Sequence, residues 1–234
     1  MKPQAARILR LGVLALVLGG IAFLVAGAEI KAETYLAPAS NHCVCRHNAQ
    51  QKKQVANFGV YGYIQWKRTN LNGGTFTYHR VASIQENPWR YVEFGWTKNI
   101  VGDCAGVTAG SFCALAVYNS GAGDIGHAVA FTKVGHSYAA QYDPNTNRHW
   151  FYLDGANVWS VNAGFGQGTQ VKAGGEVGRG VEQMNDVQIS SLEYSINNGG
   201  NFQYVFWNGY QDAEQEDPYF NINGGLNDFF DHGP

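Results

Sequence analysis

The sequence predicts an all-β fold, an antiparallel β-sandwich of two packed sheets forming a single domain, on three observations. Segments of about five to ten residues rich in Val, Tyr, Phe, Trp and Thr alternate with short turns of Gly, Asn, Asp and Ser. No stretch of a dozen residues keeps a convincing 3.6-residue apolar period. Thirty glycines and an aromatic fraction of 14% complete the profile, with a closed barrel as the lesser alternative.

The chain begins with Lys2, Arg7 and Arg10, runs apolar from Leu11 to Ala26 and closes on Ala26-Gly27-Ala28, a small-x-small site. Residues 1–28 therefore read as a signal peptide, and the apolar run is short of the roughly 20 residues that span a bilayer. Residues 29–53 are polar and aperiodic and read as a leader or short prosegment. The folded domain is expected over 54–234, a length that suits one all-β unit.

Within it, strands are expected near Phe58–Lys67, Thr75–Ile84, Arg90–Lys98, Phe112–Tyr118, His127–Lys133, Ser137–Tyr142, Arg148–Leu153, Gln170–Gly178, Gln188–Ile196 and Phe202–Trp207. Asn72-Gly73-Gly74, Asp143-Pro144-Asn145, Asp154-Gly155 and Asn198-Gly199-Gly200 supply turn residues that tolerate positive φ. The tail from Asp212 reads as an edge segment or a poorly ordered end.

A formal net charge of -2 with 15% charged residues offers no basic field for nucleic acid. Neutral, sugar-like or peptide partners fit better, met by a secreted monomer with no stable membrane association once the signal is removed. Four cysteines in an oxidising compartment point to disulfides. Cys104 and Cys113 bracket a Gly-rich loop and are candidates for a local bridge. Cys43 and Cys45, between His42 and His47, could be drawn as a metal site, but leader cysteines bridged elsewhere are the preferred reading. Asp124, His127 and His136 are likewise read as ordinary polar residues, so neither metal nor cofactor is expected.

The sequence lacks a Gly-x-Ser-x-Gly elbow, a His-Glu-x-x-His pair and a phosphate-binding glycine loop. Two glutamates stand out instead. In Arg90-Tyr91-Val92-Glu93-Phe94-Gly95-Trp96, period-two alternation sends Val92, Phe94 and Trp96 to the core and Tyr91, Glu93 and Gly95 to the opposite face. In Gly174-Gly175-Glu176-Val177-Gly178, Glu176 shares its face with Gly174 and Gly178, so that face is cleared of bulk. Two solvated carboxylates beside glycine bulges would give the same pattern.

Glu93 in Glu-x-Gly-Trp, preceded by Gln65-Trp66 and followed by His149-Trp150-Phe151-Tyr152 and Gly174-Gly175-Glu176-Val177, resembles the neprosin family of glutamic peptidases, in the same order from Phe58 to Trp207. The resemblance implies two packed antiparallel sheets, with Glu93 and Glu176 as a catalytic pair facing each other across a groove and cleaving peptides at acidic pH, with cleavage after proline as in plant members. Two close carboxyls share a proton and so supply one acid and one base to activate a water. Tyr91 and Gln65 are expected to contact substrate, as are the aromatic Trp66 and Tyr152. The competing readings are a non-catalytic carbohydrate- or peptide-binding face lined by Tyr63, Trp66, Trp150 and Tyr152, and glycoside hydrolysis by the same two carboxylates.

Overall fold

The computed structural model describes residues 33–36, 46–69, 76–99, 104, 112–178, 186–197, 203–207, 212–215, 221–224 and 228–232. All belong to one compact unit, Lys31–Pro234. The expected signal peptide, Cys43 and Cys45, and the turns at 72–74 and 198–200 lie outside the described residues.

The described elements are all strands. They are β1 (Glu33–Leu36), β2 (Arg46–Asn57), β3 (Gly59–Ile64), β4 (Phe76–Gln85), β5 (Arg90–Asn99), β6 (Phe112–Asn119), β7 (Asp124–Val129) and β8 (His136–Asp143). These are followed by β9 (Arg148–Leu153), β10 (Ala156–Val161), β11 (Gly168–Gly178), β12 (Val187–Ser195), β13 (Tyr204–Phe206), β14 (Asp212–Gln215), β15 (Asn221–Gly224) and β16 (Asp228–His232). The first sheet runs β1-β7-β6-β5-β4-β11-β2-β14, and the second runs β10-β9-β8-β3-β12-β16-β15 with β13 paired to β12. Every pairing is antiparallel. The fold is the sandwich that strand patterning predicts.

The main departures from the sequence reading are β2 and β10. Strand β2 starts inside the stretch taken for a leader, because its alternate residues Asn48, Gln50 and Lys52 are polar and hide the strand period. Strand β10 follows the two-residue turn Asp154-Gly155, where both residues have positive φ, and its pattern is interrupted by a bulge between Asn157 and Trp159. The tail from Asp212 forms the edge segment that the sequence allows, with β14 and β15 as edge strands and β16 between β12 and β15.

The core is an aromatic stack that crosses from sheet to sheet. Phe94 on β5 meets Tyr138 on β8 edge-on at 5.0 Å and Phe151 on β9 at 5.8 Å. Phe151 stacks on Trp159 at 5.3 Å, which in turn stacks on His127 of β7 at 4.6 Å. Phe94, Trp96, Tyr138 and Phe151 are all fully buried. The disulfide Cys104–Cys113 is formed.

Histidines serve here as apolar slabs. His149 lies 5.3 Å from Tyr142 and 4.5 Å from Phe165, and neither ring nitrogen has a hydrogen-bond partner among the described residues. Burial pushes its pKa from 6.5 down to about 3. Burial also lowers that of His127.

Two outcomes follow from this core. Phe94→Ala should cost about 3–5 kcal/mol in chemical denaturation, since it removes the ring joining the two sheets. The unfolded chain binds a proton at residue 149 below pH 6.5, which the folded chain refuses until about 3. Stability should therefore fall as pH drops through that window, by roughly 1.4 kcal/mol per unit for this residue. His149→Phe should flatten the fall, and an unchanged pH profile of unfolding would refute the assignment.

Candidate active site

Strand β4 lies between β5 and β11, and the register of these three strands builds the site. His79, Val81 and Ser83 point into the sandwich, so Tyr78, Arg80 and Ala82 occupy the opposite face of the sheet. Arg80 is level with Gly95 on β5 and with Gly174 on β11. Glu93 is level with Ala82, two residues along in one direction, and Glu176 with Tyr78, two residues along in the other. The two carboxylates thus reach Arg80 diagonally from opposite sides.

The Arg80 Nε lies 2.6 Å from Glu93 Oε2 and its Nη2 lies 2.6 Å from Glu176 Oε2. The side chains of Glu93, Arg80 and Glu176 retain only 14%, 11% and 8% of their exposure. One guanidinium therefore holds both glutamates in a mostly desolvated site, where charge-assisted hydrogen bonds are strong. Burial alone would lower the pKa of Arg80, but Glu93 and then Glu176 outweigh it and hold the pKa above its ordinary value. The third nitrogen, Nη1, is buried with no hydrogen-bond partner among the described residues.

The neighbouring glycines have a backbone role. A Cβ on Gly95 would lie 1.8 Å from the carbonyl oxygen of His79, and one on Gly174, which has φ +150°, would lie 2.2 Å from that of Ala49. The face that looks cleared in sequence is cleared for close strand approach on either side of Arg80.

Tyrosines frame the triad. The Arg80 guanidinium sits 5.2 Å from the centre of the Tyr78 ring, and the Tyr78 hydroxyl donates to the Leu115 carbonyl at 2.8 Å. The Tyr91 hydroxyl donates to Asp124, which also accepts from Asn119 Nδ2 at 2.8 Å. Burial, and after it the charge of Glu93, raise the pKa of both phenols, which stay protonated donors. Beyond the tyrosines, Leu115, Val117, Ala128, Cys104 and Cys113 form an apolar wall. On the other side β2 brings Asn48 level with Glu176 and Gln50 level with Gly174.

The structure brings together Glu93, Glu176 and Tyr91 and separates them from the other expected contacts. Gln65 is not on a neighbouring strand, because the chain crosses to the other sheet between β3 and β4. Its carbonyl accepts from Trp96 Nε1 at 3.1 Å on the core side, and Trp66 packs edge-on against Phe112 at 5.7 Å. Tyr152 belongs to β9 in the second sheet. Asp124, His127 and His136 do not converge either: Asp124 holds Tyr91, His127 stacks on Trp159, and His136 Nδ1 pairs with Asp154 at 2.5 Å. Among the described residues no three His, Cys, Asp or Glu side chains gather as metal ligands. The residue that sequence reasoning missed is Arg80, whose importance depends on cross-strand register.

No protein-family model and no curated protein matches the chain. Among solved structures, Scytalido-glutamic peptidase with a peptide-based transition-state analogue matches at a TM-score of 0.57 and 9% identity, covering 81% of this chain and 98% of that one. SCP-B, a member of the Eqolisin family of peptidases in complex with the tripeptide Ala-Ile-His, matches at a TM-score of 0.52 and 10% identity with the same coverages. What these matches share with the chain is its fold: the two-sheet sandwich described above is that of glutamic peptidases.

Proposed function

We propose that the chain is an exported endopeptidase of glutamic type, hydrolysing peptide bonds with Glu93 and Glu176. The observation that carries the reading is the pair of buried carboxylates held by one guanidinium on one face of a glutamic-peptidase-like sandwich. With both glutamates ionised the triad carries one excess negative charge. Uptake of a single proton leaves one carboxylate paired with Arg80 and one carboxylic acid beside it. That form has a base to take a proton from water and an acid to protonate the leaving nitrogen. The water oxygen adds to the scissile carbonyl carbon, and the developing oxyanion accepts a hydrogen bond from the carboxylic acid. The C–N bond then breaks as the nitrogen is protonated. A peptide lying across the site would have the apolar wall of Leu115 and Val117 on one side and the amides of Asn48 and Gln50 on the other.

Acid brings the triad into this form, yet His149 makes the fold resist acid poorly. Cleavage is therefore expected in acid, over the range in which the fold still holds. A second reading is favoured by the same 2.6 Å contacts: Arg80 occupies the space between the carboxylates, as in a structural ion triad under a non-catalytic peptide-binding groove.

Digestion of a denatured protein mixture across pH, with cleavage sites read by mass spectrometry, separates the two readings. Cleavage in acid should fall by about 10²–10⁴-fold in both Glu93→Gln and Glu176→Gln. A folded wild type that cuts nothing would leave the binding groove. Arg80→Met should cost about 3–5 kcal/mol near pH 7, where it strands two buried carboxylates. That deficit should shrink as the pH is lowered, because a neutral carboxyl needs no cation. A deficit independent of pH would show that the carboxylates do not depend on Arg80.

A further inference from the structure

The outer face of the second sheet carries a separate pocket, a cavity of about 290 Å³ lined by Tyr61, Ser137, Ala139, Tyr152, Gly155 and Tyr204. Alternation places it away from the core: Val60, Tyr138 and Phe151 point inward, and their neighbours Tyr61, Ala139 and Tyr152 stand level with one another outside. Small residues make the floor and three tyrosines make the walls.

The walls are already ordered. The Tyr61 hydroxyl hydrogen-bonds Ser137 Oγ at 3.0 Å, that of Tyr204 donates to Gln141 Oε1 at 2.7 Å, and Tyr152 is hydrogen-bonded to Asn157. Tyr61 and Tyr204 meet edge to face at 6.0 Å. Polar capacity is spent on these bonds, so the cavity presents ring faces and edges and offers few hydrogen bonds to a sugar's hydroxyls.

The charge around it has one sign. Glu193 on β12 is level with Tyr61 on one side and with the exposed Phe206 on the other. Asp154 immediately precedes the lining residue Gly155, and the charge of Asp143 acts on Tyr152. Among the described residues no Lys or Arg lines the pocket. Asp154 is engaged by His136, whereas Glu193 has no cationic partner among the described residues, and partial burial raises its pKa. An anion would be repelled here, and a compact, strongly hydrated ammonium would lose its water without donors' partners to replace it. A cation sheathed in methyl groups suits both the dry aromatic walls and the acidic rim.

We propose that this tyrosine pocket is a binding site for a methylated organic ammonium, held by cation–π contacts with Tyr61, Tyr152 and Tyr204 and by the charge of Glu193. It is independent of the Glu93–Arg80–Glu176 triad, which belongs to the other sheet.

Calorimetric titration of the mature protein with choline and with its neutral isostere 3,3-dimethylbutan-1-ol tests this. Choline should bind about tenfold more tightly than the isostere. Glu193→Gln, a surface change that leaves the fold intact, should weaken choline about fivefold and leave the isostere unaffected. Tyr61→Ala should weaken choline by a similar factor. Phosphocholine, whose phosphate meets the acidic rim, should bind less tightly than choline. Equal affinity for choline and its isostere, absence of saturable choline binding, tighter binding of phosphocholine, or unchanged choline affinity in Glu193→Gln would each overturn the proposal.

Discussion

A guanidinium taken out of water needs its charge answered at close range, and in this chain two glutamates from two different strands answer it. Leaving either partner out would strand a buried charge, at a cost on the order of 3–5 kcal/mol. The arrangement therefore fixes more than itself. It requires β5, β4 and β11 to lie side by side in one register, with Arg80 level with Gly95 and Gly174. Both glycines are places where a side chain would strike a neighbouring backbone. The same register that lets the strands close up beside Arg80 sets Glu93 and Glu176 at the diagonals. Backbone packing and site electrostatics are one constraint seen twice.

Behind this sheet a chain of aromatic rings links the two halves of the sandwich through an otherwise mostly aliphatic core. Phe94, two residues from Gly95's far neighbour Trp96 and next to Glu93 in the chain, anchors β5 to the second sheet through Tyr138 and Phe151. The strand that presents a carboxylate on one face is thus clamped by a ring on the other, which is the rigidity a site needs if two groups are to keep a fixed separation. The neutral histidines of the core set the opposing condition. A triad that gains an acid by taking up one proton sits on a scaffold whose His149 refuses one until about 3.

Much of this was legible in the sequence. Alternation in Tyr91–Trp96 places Phe94 and Trp96 inward and Glu93 outward, and the glycines around Glu176 mark that strand as unusual. Both carboxylates are on one face, as the pattern implies. Cross-strand partners were not legible, because register is a property of pairing and not of any one segment. Arg80 lies in Tyr78-His79-Arg80-Val81, where it reads as one more outward polar residue, and only the pairing with β5 and β11 gives it two carboxylates. Gln65 and Trp66 were misplaced for the same reason: nothing local shows that the chain changes sheets before β4. Strand β2 was hidden because its outward residues are amides and lysine, which look like a leader until Asn48 and Gln50 are set beside Glu176 and Gly174.

The central claim is that Glu93 and Glu176 act as one unit through Arg80, and carbon-13 NMR of the glutamate carboxyls across the acidic range tests it most directly. Replacing Glu176 by Gln leaves the whole of Arg80 to Glu93, so Glu93 should titrate at lower pH in that variant than in the wild type. A Glu93 titration that is identical in the two proteins would contradict the account.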